Sequence, residues 1–129
     1  MVSLLIVSHS AQLAAGVKEF AEQVAGGKVR IADAGGAADG SLGTSVDRIQ
    51  ERLRQIVSPD GTLVLVDLGS AVLSVEMAIE ALGAGRVQIS DAPLVEGAYL
   101  AAIEASAEGA TLEQVAQAAL QARELIKVH

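Results

Sequence analysis

Two apolar runs constrain this chain more than anything else in it. Leu4, Leu5, Ile6 and Val7 lead directly into Ser8, His9 and Ser10, and Leu63 to Val66 lead directly into Asp67. Runs this short, unbroken and closed by polar residues predict strands buried on both faces, as central strands of a parallel sheet are. Such strands need helices on both sides of the sheet.

The rest of the chain supplies them. Leu13, Val17, Phe20, Ala21 and Val24 recur at three- and four-residue spacing, predicting a helix that starts near Ser10, its N-cap, and ends at Gly26 and Gly27. Lys28 to Asp33, with Val29, Ile31 and Ala32, predicts a shorter strand nearer the sheet edge. Residues 34–43 hold four glycines in ten positions and predict a mobile loop. Thr44 or Ser45 then caps a helix whose buried face is Val46, Ile49, Leu53, Ile56 and Val57, and Pro59 to Gly61 make a turn before the strand at Thr62 to Asp67.

Beyond Gly69, with Ser70 as the natural N-cap, Ala71, Val72, Val75, Ala78, Ile79 and Leu82 predict a third helix, closed by Gly83, Ala84 and Gly85. Arg86 to Ser90 reads as a fourth strand and Asp91 to Gly97 as a loop, with helix from about Ala98, broken near Gly109. Thr111 and Gln114 make a capping box for a last helix whose Leu112, Val115, Ala119, Leu120 and Ile126 face inward or toward a partner. The predicted fold class is therefore α/β: a small, open, mostly parallel four-stranded sheet with helices on both faces, in one domain over residues 1–129.

Composition narrows the functional classes. Apolar residues make up 51% of the chain but Phe20 and Tyr99 are its only aromatics, so the core is built from Val, Leu, Ile and Ala. A formal charge of −7 argues against nucleic acid or an anionic membrane as partner. The absence of cysteine excludes thiolate chemistry and Cys-built zinc sites, and two histidines without an acidic cluster at ligand spacing predict no metal site. No basic region precedes a long apolar stretch, and no run reaches about 18 apolar residues, which predicts a cytoplasmic protein.

If both apolar strands are parallel and central, His9 and Asp67 meet at the C-terminal edge of the sheet, where ligands and chemistry collect. A carboxylate that holds one imidazole nitrogen leaves the other free as a nucleophile or base. From position alone, His9 is either such a group or a loop histidine, and Asp67 either its partner or a cap on the loop beyond. Ser70 either caps its helix, the simpler role, or donates to a phosphoryl group on His9. The glycine-rich loop lacks the lysine of a nucleotide-binding P-loop and any GxGxxG, which disfavours a nucleotide- or flavin-binding protein.

Four stretches carry a resemblance: Ile6 to Ser10, Gly43 to Ser45, Val66 to Ala71 and Ala92 to Gly97. In that order they resemble the enzyme IIA domains of the mannose family of the bacterial phosphoenolpyruvate-dependent phosphotransferase system, and within it the branch that serves dihydroxyacetone kinase. The resemblance implies that His9 accepts a phosphoryl group from HPr and passes it to ADP on the ADP-binding kinase subunit. The ATP formed then phosphorylates dihydroxyacetone on a third subunit. It further implies Asp67 as the carboxylate orienting His9, Ser70 as a donor to the phosphoryl oxygens, and Gly69, Thr44 and Ser45 as positions shaping the pocket, to which Ser10, read as an N-cap, adds the first N–H groups of its helix beside His9. The nitrogen remote from Asp67 is the one expected to be phosphorylated. No cofactor is implied on this subunit, ADP and magnesium belonging to the partner, and the family implies a homodimer.

The sugar-transporting members carry an aromatic residue and a further glycine between the Asp and the Ser, where this chain has only Leu68 and Gly69. That favours the dihydroxyacetone branch over a IIA component that feeds an enzyme IIB; a regulatory module without onward transfer would instead show a stable phospho-His9 with no ADP-dependent loss. Some members of the branch continue into HPr-like and enzyme I-like domains; if His129 is the natural end, separate carriers are expected.

Overall fold

In a computed structural model describing residues 1–83 and 85–129, four strands alternate with helices in the expected order. They are β1 (Ser3–Ser8), α1 (Ala11–Ala25), β2 (Ile31–Gly35), α2 (Val46–Ile56), β3 (Thr62–Val66), α3 (Ser70–Leu82), β4 (Val87–Ile89), α4 (Leu94–Ala105) and α5 (Leu112–Leu120), the last running into a 3₁₀ turn at Gln121–Glu124. Ala84, in the turn expected to close α3, lies outside the described residues. The strands pair in parallel in the order β2-β1-β3-β4, with β1 and β3 central.

The two apolar runs are buried on both faces because successive side chains point to opposite sides of the sheet. Leu4, Ile6, Leu63 and Leu65 face one core with α1, α4 and α5; Leu5, Val7, Val64 and Val66 face the other with α2 and α3. Connections leave β1 toward β2 and β3 toward β4, in opposite directions, so the crevice between the ends of β1 and β3 is the topological switch point.

Several boundaries differ from the sequence reading. The second strand is Ile31–Gly35 rather than Lys28 to Asp33, because its register pairs Leu4 with Ile31 through to Ser8 with Gly35. The expected loose loop is knitted to the sheet edge: Gly36 N–H donates to Ser8 O at 3.1 Å, Ala37 N–H to Ser41 O at 2.8 Å, and Gly43 N–H to His9 O at 2.9 Å. Helix α4 starts at Leu94, with Pro93 at its N-cap position, so Leu94 to Gly97 are its first turn and not loop. Val57 lies past the end of α2 and is half-buried, and Ile126, expected to be covered, is 71% exposed beyond the 3₁₀ turn.

On α1 the buried residues are Ala14, Val17, Ala21 and Ala25, whereas Leu13 and Phe20 are each 43% exposed. The helix sits too close to the sheet for large side chains on its inner face. Phe20 is turned aside and stacks on Tyr99 of α4, ring centroids 5.4 Å apart. The close approach is set at Gly35, where a Cβ would lie 2.6 Å from Ser10 O, 2.7 Å from Ala11 Cα and 2.8 Å from Ala14 Cβ. Backbone cannot yield as a side-chain tip can, so Gly35→Ala is expected to cost about 1–3 kcal/mol. It also displaces the start of α1 beside His9. Thermal unfolding measures the first effect; an unchanged midpoint would contradict the packing described.

Candidate functional site

The register that pairs Val7 with Val66 brings the next residues of both strands together, and Asp67 N–H donates to Val7 O at 3.2 Å. His9 and Asp67 therefore meet at the C-terminal edge, their side chains 26% and 13% exposed. Oδ1 of Asp67 lies 3.0 Å from His9 Nδ1 and accepts from Leu68 N–H at 2.7 Å. Oδ2 accepts from His9 N–H and from the Ser8 hydroxyl, both at 2.9 Å. Burial pushes the Asp67 carboxyl up, but the bonds from the His9 N–H and ring, the Ser8 hydroxyl and the Leu68 N–H outweigh it. The carboxyl is held below its ordinary value.

An ionised carboxylate only accepts, so the network places the imidazole hydrogen on Nδ1 and leaves the lone pair on Nε2. Ser70 Oγ lies 3.0 Å from that nitrogen and donates to it in this tautomer. Ser70 is the first residue of α3 and not its N-cap: Gly69 takes that position, with no side-chain cap, and the Ser70 hydroxyl is turned to the imidazole instead. The arrangement is a basic nitrogen, oriented from behind by a carboxylate and faced by a hydroxyl at a helix start, where anions are favoured.

The other expected positions frame the site without touching the ring. Ser10 caps α1, its Oγ accepting from Leu13 N–H at 3.1 Å. Ser45 caps α2 by accepting from Arg48 N–H at 3.2 Å, while Thr44 Oγ1 bonds Ser74 Oγ at 2.7 Å and fastens the loop to α3. With Gly43 bonded to the His9 carbonyl, these contacts fix the loop beside the site. In the sequence Ser8 shows only as a polar residue closing an apolar strand, a signal too common to assign it a role. It is fully buried and bonded to Asp67.

On the far side of Asp67 a cleft of about 340 Å³ opens between the ends of β3 and β4, lined by Gly69, Ser90 and Pro93 among others and flanked by an Asp91–Arg123 ion pair. Leu42, Leu68, Leu73 and Met77 are exposed, and Leu73 and Met77 follow Ser70 at helical spacing on α3. Among the described residues no helix is long and apolar enough to cross a membrane.

Comparison with known proteins gives concordant matches. Residues 3–116 match the EIIA-man family, described as PTS system fructose IIA component. The "PEP-dependent dihydroxyacetone kinase 2, phosphoryl donor subunit DhaM" of Listeria innocua is 37% identical over 107 residues, 81% of this chain and 86% of that one. The "PEP-dependent dihydroxyacetone kinase, phosphoryl donor subunit DhaM" of Escherichia coli K12 is 41% identical over 130 residues, 96% of this chain but 27% of that longer protein. The crystal structure of the phosphotransferase system component EIIA from Streptococcus agalactiae superposes with a TM-score of 0.71 at 16% identity, covering 98% of this chain and 97% of that one, which is a likeness of fold.

Proposed function

The chain belongs to the EIIA-man family of phosphotransferase-system IIA components, and from that membership we propose that it is a phosphohistidine carrier, loaded at His9 by HPr and discharged to ADP on the ADP-binding subunit of a dihydroxyacetone kinase. The observation that carries this reading is the imidazole held between Asp67 Oδ1 and Ser70 Oγ, each 3.0 Å from one ring nitrogen. The dihydroxyacetone branch is supported by the two DhaM relatives and by the short Leu68-Gly69 link between Asp67 and Ser70.

In loading, the Nε2 lone pair attacks the phosphorus of the donor phosphohistidine. The new N–P bond forms as the donor's breaks, and the donor imidazole leaves. The His9 ring gains positive charge as the bond forms, and Asp67 stabilises it while keeping its hydrogen bond to Nδ1–H. The Ser70 hydroxyl, released from Nε2, donates to a phosphoryl oxygen at the start of α3. In discharge a terminal phosphate oxygen of ADP attacks the same phosphorus, the N–P bond to His9 breaks and Nε2 recovers its lone pair. ADP and magnesium are supplied by the partner subunit on this reading. The exposed Leu42, Leu68, Leu73 and Met77 offer apolar surface suited to protein-sized donors and acceptors. The family resemblance adds a homodimer, open to a mass measurement in solution.

Ser70→Ala is expected to slow phosphoryl uptake about tenfold, the size of one lost charge-assisted hydrogen bond, with no change in thermal unfolding because the side chain is exposed. Single-turnover transfer from phospho-HPr measures it, and an unaltered rate would remove Ser70 from the site. The acceptor is tested by adding the ADP-loaded kinase subunit to phosphorylated protein: rapid ADP-dependent loss of label is expected. Label that persists with ADP and drains to an enzyme IIB would move the chain to the sugar branch.

A further inference from the structure

β1 is apolar from Leu4 to Val7, and then a fully buried serine closes it. A buried hydroxyl is costly unless both its hydrogen and its oxygen are used, and Ser8 uses both. Its Oγ accepts from Ser10 N–H at 3.0 Å, at the start of α1, and donates to Asp67 Oδ2 at 2.9 Å. The direction is unambiguous, because an N–H only donates and a carboxylate only accepts. We propose that Ser8 is a positioning residue of the pair, its hydroxyl tying the Asp67 carboxylate to the N-cap of α1 so that Oδ1, which also accepts from Leu68 N–H, stays aimed at His9 Nδ1. The proposal rests on the phosphocarrier reading for its effect on rate, but its structural half stands apart from it.

The carboxylate of an aspartate turns easily about its last torsion, whose preference is broad. Here Oδ2 is pinned by two donors, His9 N–H and the Ser8 hydroxyl, and pinning Oδ2 aims Oδ1. Removing the Ser8 hydroxyl leaves one donor on that oxygen and strands the Ser10 N–H at the helix start, where an unpaired donor has no intrahelical partner. The charged or titratable groups facing Asp67 are His9 from the end of β1 and, across the cleft toward β4, Asp91 and Arg123, which pair with each other. Neither α1 nor α3 carries an acid in its first turn.

Ser3, at the other end of the same strand, is the natural control. It is equally buried and its hydroxyl bonds Thr62 Oγ1 at 2.8 Å, joining β1 to β3 far from the site. Ser8→Ala and Ser3→Ala are compared in phosphoryl uptake as a function of pH and, in unphosphorylated protein, in the carboxyl titration of Asp67 by carbon NMR. Ser8→Ala is expected to slow uptake about tenfold and to move both the Asp67 titration and the acid limb of the rate profile to higher pH. Ser3→Ala is expected to lower thermal stability and leave both untouched. A slow Ser8→Ala whose Asp67 titration does not move, or a Ser3→Ala that behaves the same way, would overturn the proposal. Ser8→Cys, close in shape with a weaker donor, takes its place if Ser8→Ala does not fold, with the same displacement expected and the same absence fatal. Should the wild-type protein take up no phosphate, the carrier reading fails while the Asp67 titration still decides the role of Ser8.

Discussion

Replacing His9 with alanine is expected to abolish phosphoryl uptake from HPr and to leave the fold standing. Each half has its own cause. The loss is complete because transfer needs a nitrogen lone pair at one place, and the chain's only other histidine, His129, sits exposed at the end of the chain. The fold survives because the His9 side chain is partly exposed and the Asp67 carboxylate keeps three of its donors, the Ser8 hydroxyl and the N–H groups of residues 9 and 68. The expected cost in stability is about 1 kcal/mol, that of the part-buried bond to Asp67, since the exposed Ser70 hydroxyl exchanges its bond for one to water. Labelling from phosphoenolpyruvate through enzyme I and HPr, run beside a thermal melt, checks both. Retained labelling in a folded variant would place the phosphoryl group elsewhere.

The second large effect is expected of Asp67→Asn, and it turns on counting hydrogens. Four donors converge on the carboxylate: the His9 ring, the His9 and Leu68 N–H groups and the Ser8 hydroxyl. An amide presents one accepting oxygen and one donating nitrogen, so one pair of donors must face a donor. If the oxygen takes the Oδ2 position, the amide N–H points at His9 Nδ1 and favours the tautomer with its hydrogen on Nε2. The nucleophilic lone pair is then lost from the face that meets the donor. Removing an orienting carboxylate is expected to slow transfer on the order of 10²–10⁴-fold. Mispaired donors at this part-buried site are expected to cost about 1 kcal/mol of stability.

The pH dependence has a definite sign. Because the bonds to Asp67 hold its native carboxyl below the ordinary value of about 4, its contribution to stability is fully present above that value and lost as pH falls through the lower native one. The stability gap between wild type and Asp67→Asn should therefore narrow in acid. A constant gap would show that the contribution lies in packing and not in ionisation.

The central strands were legible in the sequence because unbroken apolar runs of that length have few other uses, and with them came the edge that joins His9 to Asp67. What escaped was decided by distances between elements. Leu13 and Phe20 follow helical spacing as well as Val17 does, yet Gly35 draws α1 so near the sheet that alanines occupy its inner face. Ser70 sits where an N-cap belongs by spacing, but the backbone starts the helix one residue earlier and frees its hydroxyl for His9. Ser8 reads as the polar end of a strand. Its work became visible only once the chain of β3 had been laid beside it.

The most direct test of this account is the nitrogen itself. Protein labelled with nitrogen-15 and loaded through enzyme I, HPr and phosphoenolpyruvate is followed by long-range proton–nitrogen NMR of the His9 ring. The account predicts phosphorus bonded to Nε2, with Nδ1 still protonated and hydrogen-bonded to Asp67. Phosphorus on Nδ1, or on no nitrogen of His9 at all, would contradict it.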